Sequence, residues 1–245
     1  MPKILRVIDN ADKFHQEMPS FDIPFKLLIN GKSQLSGKST IVLNLLMNPE
    51  FGYDKKFDGE NIYLVSDNKL DNKLKLLANV KEIPEQNIMS YDENALIQLY
   101  DDLEEDFLED QRDGIVRNRI IVFDDCGYSG SLKNKQSGII SKLVCNGRHL
   151  NLSQIYTSQR FSQVSTTLRT NLTGSILFNT SMKELDLIAE DFNYLDSKKE
   201  FILMFRKYTK GIRQFLVVNF TNKDGMFMDS NFKTIPMGGS ASDKP

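Results

Sequence analysis

The chain has 245 residues, of which 40% are hydrophobic, and its formal net charge at pH 7 is -2. This length and apolar share suit one α/β domain with a single core, and the charge excludes a globally basic surface as the means of binding nucleic acid. No segment approaches the roughly 20 apolar residues that span a bilayer, so no membrane span is expected. Two cysteines and two histidines without metal-ligand spacing favour reduced thiols, a reducing compartment and no zinc site.

Apolar patterns predict strands and helices that alternate along the chain, which is typical of a mostly parallel sheet flanked by helices. The predicted strands cover residues 25–29, 61–66, 87–91, 119–125, 152–157 and 175–178, and the predicted helices cover 39–47, 70–80, 93–110, 137–145 and 165–170. Residues 1–20 have no interpretable motif and are expected to form an N-terminal arm. Residues 21–236 are expected to form the folded domain and residues 237–245 a disordered tail.

Residues 31–40, GKSQLSGKST, connect the first predicted strand to the first helix and predict a phosphate-binding loop, here called the phosphate loop. Its glycines let backbone N–H groups turn towards a phosphate, Lys38 reaches the β and γ oxygens, and Ser39 can hold Mg²⁺. The spacing from Gly31 to Gly37 is one residue longer than usual. Either Lys32 occupies the first glycine position or the loop carries an extra residue. The predicted nucleotide-binding residues are Gly31, Ser36, Gly37, Lys38, Ser39 and Thr40.

Two carboxylates follow the apolar residues 120–123, the pattern of a buried parallel strand that ends in acids. Asp124 is expected to bind Mg²⁺ through water or Ser39, and Asp125 to orient the attacking water. The alternative is that both acids only begin a turn. Gln159, at the end of the next strand, can donate to the γ-phosphate or to that water. Residues 68–71, NKLD, match the base-recognition tetrad of GTPases but come before the acidic strand, so ATP is the expected nucleotide.

The C-terminal part has a different pattern. Residues 200–206 and 214–219 are apolar runs that flank the basic segment 207–213, and they predict an antiparallel hairpin with a basic tip.

The phosphate loop, the Asp124–Asp125 pair, Gln159 and the terminal hairpin together resemble the FtsK/HerA superfamily of DNA-pumping ATPases. They are most similar to the genome-packaging ATPases of large double-stranded DNA viruses, the poxvirus type, and of related virophages. The resemblance covers roughly residues 22 to 220. It implies a P-loop NTPase fold and a Mg²⁺-ATP-dependent double-stranded DNA translocase that packages a viral genome into a preformed capsid. It also implies a ring of five or six copies, capsid or vertex proteins as partners, and a location in the host cytoplasm (viral factory) or the virion.

The resemblance also implies roles for residues outside the nucleotide motifs. An arginine before the Gln-bearing strand reaches a neighbour's nucleotide in the family, a role that falls on Arg148, with Arg160 and Arg169 as weaker candidates. The alternative for Arg148 is a cation that caps a helix C-terminus. Asp125 departs from the wider class, which often has Glu there. The expected DNA contacts are Tyr128, Lys133 and Lys135 first, then Lys207, Lys210 and Arg213, although both segments can also be ordinary solvated loops.

Two other functions remain open from the sequence. A small-molecule phosphotransferase of nucleoside-kinase type would need an arginine-rich lid, and the arginines here are scattered. A non-translocating nucleotide switch would hydrolyse ATP slowly and without response to DNA.

Overall fold

The computed structural model describes residues 21–32, 36–67, 71–126, 132, 138–222 and 226–236. The expected N-terminal arm and the expected disordered tail lie outside these residues. In the described part of the chain, no helix is both long enough and apolar enough to cross a membrane.

The strands and helices follow one another in nearly the predicted order. The strands are β1 (Lys26–Asn30), β2 (Ile62–Ser66), β3 (Ile88–Met89), β4 (Arg119–Asp124), β5 (Leu152–Ser158), β6 (Gly174–Phe178), β7 (Phe215–Asn219) and β8 (Phe227–Met228). The helices are α1 (Lys38–Met47), α2 (Asn72–Lys81), α3 (Glu93–Asp113), α4 (Ile139–Asn146), α5 (Thr166–Thr170), α6 (Met182–Phe192) and α7 (Lys198–Tyr208). Helix α6 and strand β8 were not predicted.

All eight strands of this description belong to one sheet, in the order β3-β2-β4-β5-β1-β6-β7-β8. Strands β1 to β6 run parallel to one another, whereas β7 pairs antiparallel with both β6 and β8. The predicted fold class, a mostly parallel sheet with antiparallel C-terminal strands, is therefore confirmed.

One residue assignment within that prediction is wrong, because residues 200–206 form part of helix α7 and not a strand. The side chain of Ser197 accepts a hydrogen bond from the backbone N–H of Glu200 and caps the helix. Phe201 and Phe205, one helical turn apart, are fully buried, while Leu203 between them is 58% exposed. This spacing has the helical period, so the basic segment 207–213 connects a helix to β7 and is not a hairpin tip.

The helices cover both faces of the sheet. Helices α1 and α2 pack on one face, and helices α3 to α7 pack on the other. The sheet lies between two apolar layers, which explains why β1, β2 and β4 to β7 are buried along their whole length. Because the parallel strands share one direction, the loops after β1, β4 and β5 meet at the same edge of the sheet.

Candidate active site

The candidate site lies where the three adjacent strands β4, β5 and β1 end. Asn30, the last residue of β1, is in register with Ser158, the last residue of β5. Asp124 ends β4, on the other side of β5. The strand order therefore places the phosphate loop, the acidic pair and Gln159 next to one another.

The phosphate loop begins in close contact with β5 and β6. The backbone N–H of Gly31 donates to the carbonyl of Ser158 at 3.0 Å. A Cβ atom on Gly31 would lie 2.8 Å from the Cβ atoms of Phe178 and Ser36, so only glycine fits there. Gly37, with a φ of 86°, has the left-handed conformation from which α1 begins. Residues 33–35 lie outside the described part of the chain.

Lys38, the first residue of α1, is only 8% exposed. Its Nζ atom donates to the carbonyl oxygen of Gly31 at 3.0 Å, so the side chain folds back over the loop. Burial lowers the pKa of Lys38, and the nearby carboxylates of Asp125 and Asp124 oppose that shift. This arrangement holds a cation inside the loop, within reach of an entering phosphate.

Asp124 accepts hydrogen bonds on both carboxylate oxygens. The hydroxyl of Ser39 donates to Oδ2 at 3.3 Å, and the hydroxyl of Thr157 donates to Oδ1 at 2.8 Å. Burial raises the pKa of Asp124, and the hydrogen bond from Thr157 opposes this shift because it stabilises the charged form. The two hydroxyls thus fix the position of a carboxylate that is only 4% exposed.

Thr157 is the residue of this site that the sequence analysis missed. Besides donating to Asp124, its hydroxyl accepts from the backbone N–H of Asp125 at 2.8 Å. Thr157 lies near the end of β5, two residues before Gln159. Because alternate residues of a strand point to the same face, this spacing could have indicated that Thr157 lies beside Gln159 in the site.

Asp125 and Gln159 are in direct contact. The Nε2 atom of Gln159 lies 2.8 Å from Oδ1 and 3.1 Å from Oδ2 of Asp125, so the amide donates to that carboxylate. Asp125 has a φ of 54°, a left-handed conformation that is uncommon for residues other than glycine and costs roughly 1 kcal/mol. The strained backbone turns the Asp125 side chain away from β4 and towards the end of β5.

The oxygen atoms of Ser39 and Asp124 fit a Mg²⁺ ion. Magnesium prefers oxygen ligands and is commonly held by one or two protein groups together with substrate phosphates and water. A hydroxyl and a carboxylate already within 3.3 Å of each other match that requirement. The described residues contain no cluster of three or more His, Cys, Asp or Glu side chains suited to a metal. A site completed by phosphate oxygens does not need one.

Arg148 lies far from this edge of the sheet. It belongs to a short 3-10 helix, Gly147–Leu150, that precedes β5, and its side chain is exposed. Since β5 has seven residues, its two ends are roughly 20 Å apart at about 3.3 Å per residue. Arg148 therefore cannot reach the phosphate loop of its own chain.

The two weaker candidates occupy different surroundings. Arg160 directly follows Gln159 at the carboxyl edge and is exposed. Arg169 of α5 forms an ion pair with Asp191 of α6 at 2.7 Å and lies over the ring of Phe161, with 4.9 Å between the guanidinium carbon and the ring centroid. Arg169 thus contributes to packing between α5 and α6.

The expected DNA contacts are only partly described. Tyr128, Lys133 and Lys135 lie outside the described residues. Lys207 is in the last turn of α7, Lys210 and Arg213 follow that helix, and all three side chains are exposed.

Solved structures with a similar fold include viral and bacterial ATPases. The genome packaging NTPase B204 from Sulfolobus turreted icosahedral virus 2, in complex with ATP-gammaS, is 16% identical, with a TM-score of 0.56 over 87% of this chain and 98% of B204. B204, described as the DNA-packaging ATPase from Sulfolobus turreted icosahedral virus, is 16% identical, with a TM-score of 0.55 over 84% of this chain and 97% of that one. EssC (ATPases 2 and 3) from Geobacillus thermodenitrificans is 16% identical, with a TM-score of 0.58 over 90% of this chain and 41% of EssC. These likenesses confirm the predicted P-loop NTPase fold.

Sequence comparison identifies a family. Curated protein sequences give no match. The sequence model of the family described as Poxvirus A32 protein matches residues 12–235, almost the whole chain.

Proposed function

Because the chain belongs to the Poxvirus A32 protein family, we propose that it is a Mg²⁺-ATP-dependent motor that moves double-stranded DNA into a preformed viral capsid. The family match confirms the resemblance to the poxvirus type that the sequence motifs indicated. The fold shared with B204, which is described as a genome packaging NTPase and was solved with an ATP analogue, supports the packaging role.

The observation that carries the proposal is the convergence of Lys38, Asp124 and Gln159 at one edge of the sheet. ATP binds with its phosphates over the phosphate loop and the first turn of α1, where backbone N–H groups and the positive end of the helix dipole favour an anion. The Nζ atom of Lys38 exchanges its bond to the carbonyl of Gly31 for phosphate oxygens. A short move of one side chain thus places a cation on the β and γ phosphates.

Ser39 and Asp124 would hold Mg²⁺, which when bound neutralises charge that develops on the phosphates. Thr157 keeps the carboxylate of Asp124 in place through its 2.8 Å hydrogen bond. This hydrogen bond comes from the protein itself, so it holds Asp124 in place with or without a bound nucleotide.

Asp125 orients the attacking water and accepts its proton. In the structure, the amide of Gln159 donates to both oxygens of that carboxylate, at 2.8 and 3.1 Å. A γ-phosphate, which offers strong acceptor oxygens, competes for the same amide. When Gln159 turns to the phosphate, the oxygens of Asp125 become available to water. Hydrolysis is thereby coupled to occupation of the γ-phosphate position.

Assembly into a ring would give Arg148 a role that it cannot have in an isolated chain. It lies at the opposite edge of the sheet from Asp124, so it can reach a nucleotide only in a neighbouring copy. Head-to-tail contacts between copies generate closed rings, and an arginine supplied in trans can raise the rate of hydrolysis about 10³- to 10⁵-fold in other phosphate-loop enzymes. Arg160, at the carboxyl edge, is the alternative.

The DNA passes through this ring, gripped at its phosphates by the segment that contains Tyr128, Lys133 and Lys135 and by Lys207, Lys210 and Arg213. Capsid or vertex proteins are the further partners, and the viral factory in the host cytoplasm or the virion is the place of action.

The proposal is tested by steady-state ATP hydrolysis with and without long duplex DNA, at protein concentrations that span assembly. A Lys38→Ala variant provides the blank. Stimulation by DNA that grows with protein concentration is the expected result. Hydrolysis that is indifferent to both DNA and concentration would instead support a phosphotransferase or a nucleotide switch, and phosphate acceptors would then be screened.

A further inference from the structure

A cavity of about 340 Å³ lies between the start of α6 and the end of α7. It is lined by Asn179, Thr180, Met182, Leu185, Arg206 and Lys210. We propose that this cavity binds a phosphate group of the duplex DNA backbone. The inference rests on the proposed DNA motor function and deepens it, because it assigns a specific contact with the DNA backbone.

The two cations of the cavity are available for an anion. Arg206 is in the last turn of α7 and Lys210 lies two residues beyond its end, and both line the cavity. The ion pairs in the described part of the chain involve other basic side chains. The guanidinium of Arg206 contacts the Sδ atom of Met182, so it extends from α7 to the first residue of α6. A planar guanidinium with several N–H donors is well suited to bind phosphate oxygens.

Neutral donors complete the lining. Asn179 offers an amide and Thr180 a hydroxyl, groups that commonly donate to DNA phosphates. Both residues directly follow β6, the strand beside β1. Phe178, the last residue of β6, packs against Gly31 at the start of the phosphate loop. A phosphate bound in the cavity would therefore lie near the nucleotide site, at the same edge of the sheet.

Two observations favour the DNA backbone over a nucleotide as the source of the phosphate. The cavity lies between helices on one face of the sheet, whereas α1, which follows the phosphate loop, packs on the other face. The positive charge also continues beyond the cavity to Lys207 and Arg213, and the sequence has no acidic residue between Glu200 and Asp224. In a chain of net charge -2 this is a local basic row, which suits a polymer of phosphates.

The test measures binding of a short, labelled DNA duplex over a series of salt concentrations for the variants Arg206→Gln and Lys210→Gln. Each is expected to weaken binding roughly ten-fold at low salt and to reduce the slope of log affinity against log salt by about 1, because one phosphate contact is lost. Lys199→Gln, which removes an exposed cation from the first turn of the same helix, is the matched control and should keep the wild-type slope. Arg206→Lys should also keep the slope, and thermal melting verifies that every variant is folded.

Each result supports or overturns the inference. Wild-type slopes in both Gln variants would overturn it while leaving the motor function intact. Loss of affinity for an ATP analogue in Arg206→Gln would assign the cavity to the nucleotide and also overturn it. A wild-type protein that hydrolyses ATP without binding DNA would overturn both the inference and the motor function, so the two failures are distinguishable.

Discussion

The substitution Thr157→Val tests the central hydrogen bonds of the site. The hydroxyl of Thr157 donates to Asp124 and accepts from the backbone N–H of Asp125, both at 2.8 Å, in a side chain with no exposed surface. Valine has nearly the same shape but no hydroxyl. The substitution therefore removes both hydrogen bonds and leaves the half-buried N–H group of Asp125 and the buried carboxylate of Asp124 with one partner fewer each.

The expected cost follows from these two contacts. A hydrogen bond to a charged group contributes about 1.5–3 kcal/mol, and a neutral one such as that from the half-buried N–H of Asp125 contributes about 0.5–1.5 kcal/mol. Both hydrogen bonds are lost together, so we expect the free energy of unfolding to fall by about 2–4 kcal/mol. For a chain of this size that lowers Tm by roughly 5–15 °C.

The same substitution should change the pH dependence of hydrolysis. Burial raises the pKa of Asp124, and the bond from Thr157 restrains that rise, so its loss raises the pKa further. ATP hydrolysis needs Asp124 in its charged form, so the rate of hydrolysis falls as the pH drops through the pKa of Asp124. The acid limb of the pH–rate profile should therefore move to higher pH in Thr157→Val.

Thermal melting and a pH–rate profile measure the two effects, with Thr157→Ser as the matched control because it keeps the hydroxyl. Thr157→Ser should retain the wild-type acid limb. If Thr157→Val melted like the wild type and kept the same acid limb, the hydroxyl would not hold Asp124, and the reasoning would be refuted.

Three further predictions address the nucleotide, the assembly and the corrected helix. Lys38→Ala should abolish ATP binding or turnover, whereas Lys73→Ala, which removes an exposed cation near it, should not; full activity in Lys38→Ala would show that the phosphate loop is misassigned. Arg148→Ala should spare ATP binding and reduce hydrolysis only at concentrations where the oligomer forms, and a wild-type rate in a verified oligomer would exclude the trans role. Ser197→Ala should lower the free energy of unfolding by about 1 kcal/mol, measured by urea denaturation, because the cap on the N–H of Glu200 is lost; an unchanged stability would argue against the cap.

The order of the elements and the nucleotide motifs could be predicted from the sequence because both depend on local patterns. The apolar run before Asp124 and the glycines around Lys38 are contiguous in the chain, and their spacing alone indicates a strand end and a phosphate loop. The same local information was present for α7 but was misread. Ser197 and Glu200 have the spacing of a helix-capping pair, and that signal competes with an apolar run that also suits a strand. Helix α6 begins with the same pattern at Ser181 and Glu184, and the sequence analysis assigned no element there.

Only the tertiary structure decided which side chains act together. The contacts of Asp124 with Ser39 and Thr157, and of Asp125 with Gln159, join residues on different loops and strands, and they exist because β5 lies between β1 and β4. The sequence contains the residues of those strands but not their lateral order. Arg148 lies at the far edge of the sheet from the site because it precedes β5 in the chain. The amino acids thus determined which chemical groups this protein has, and the packing of the sheet determined which of them meet.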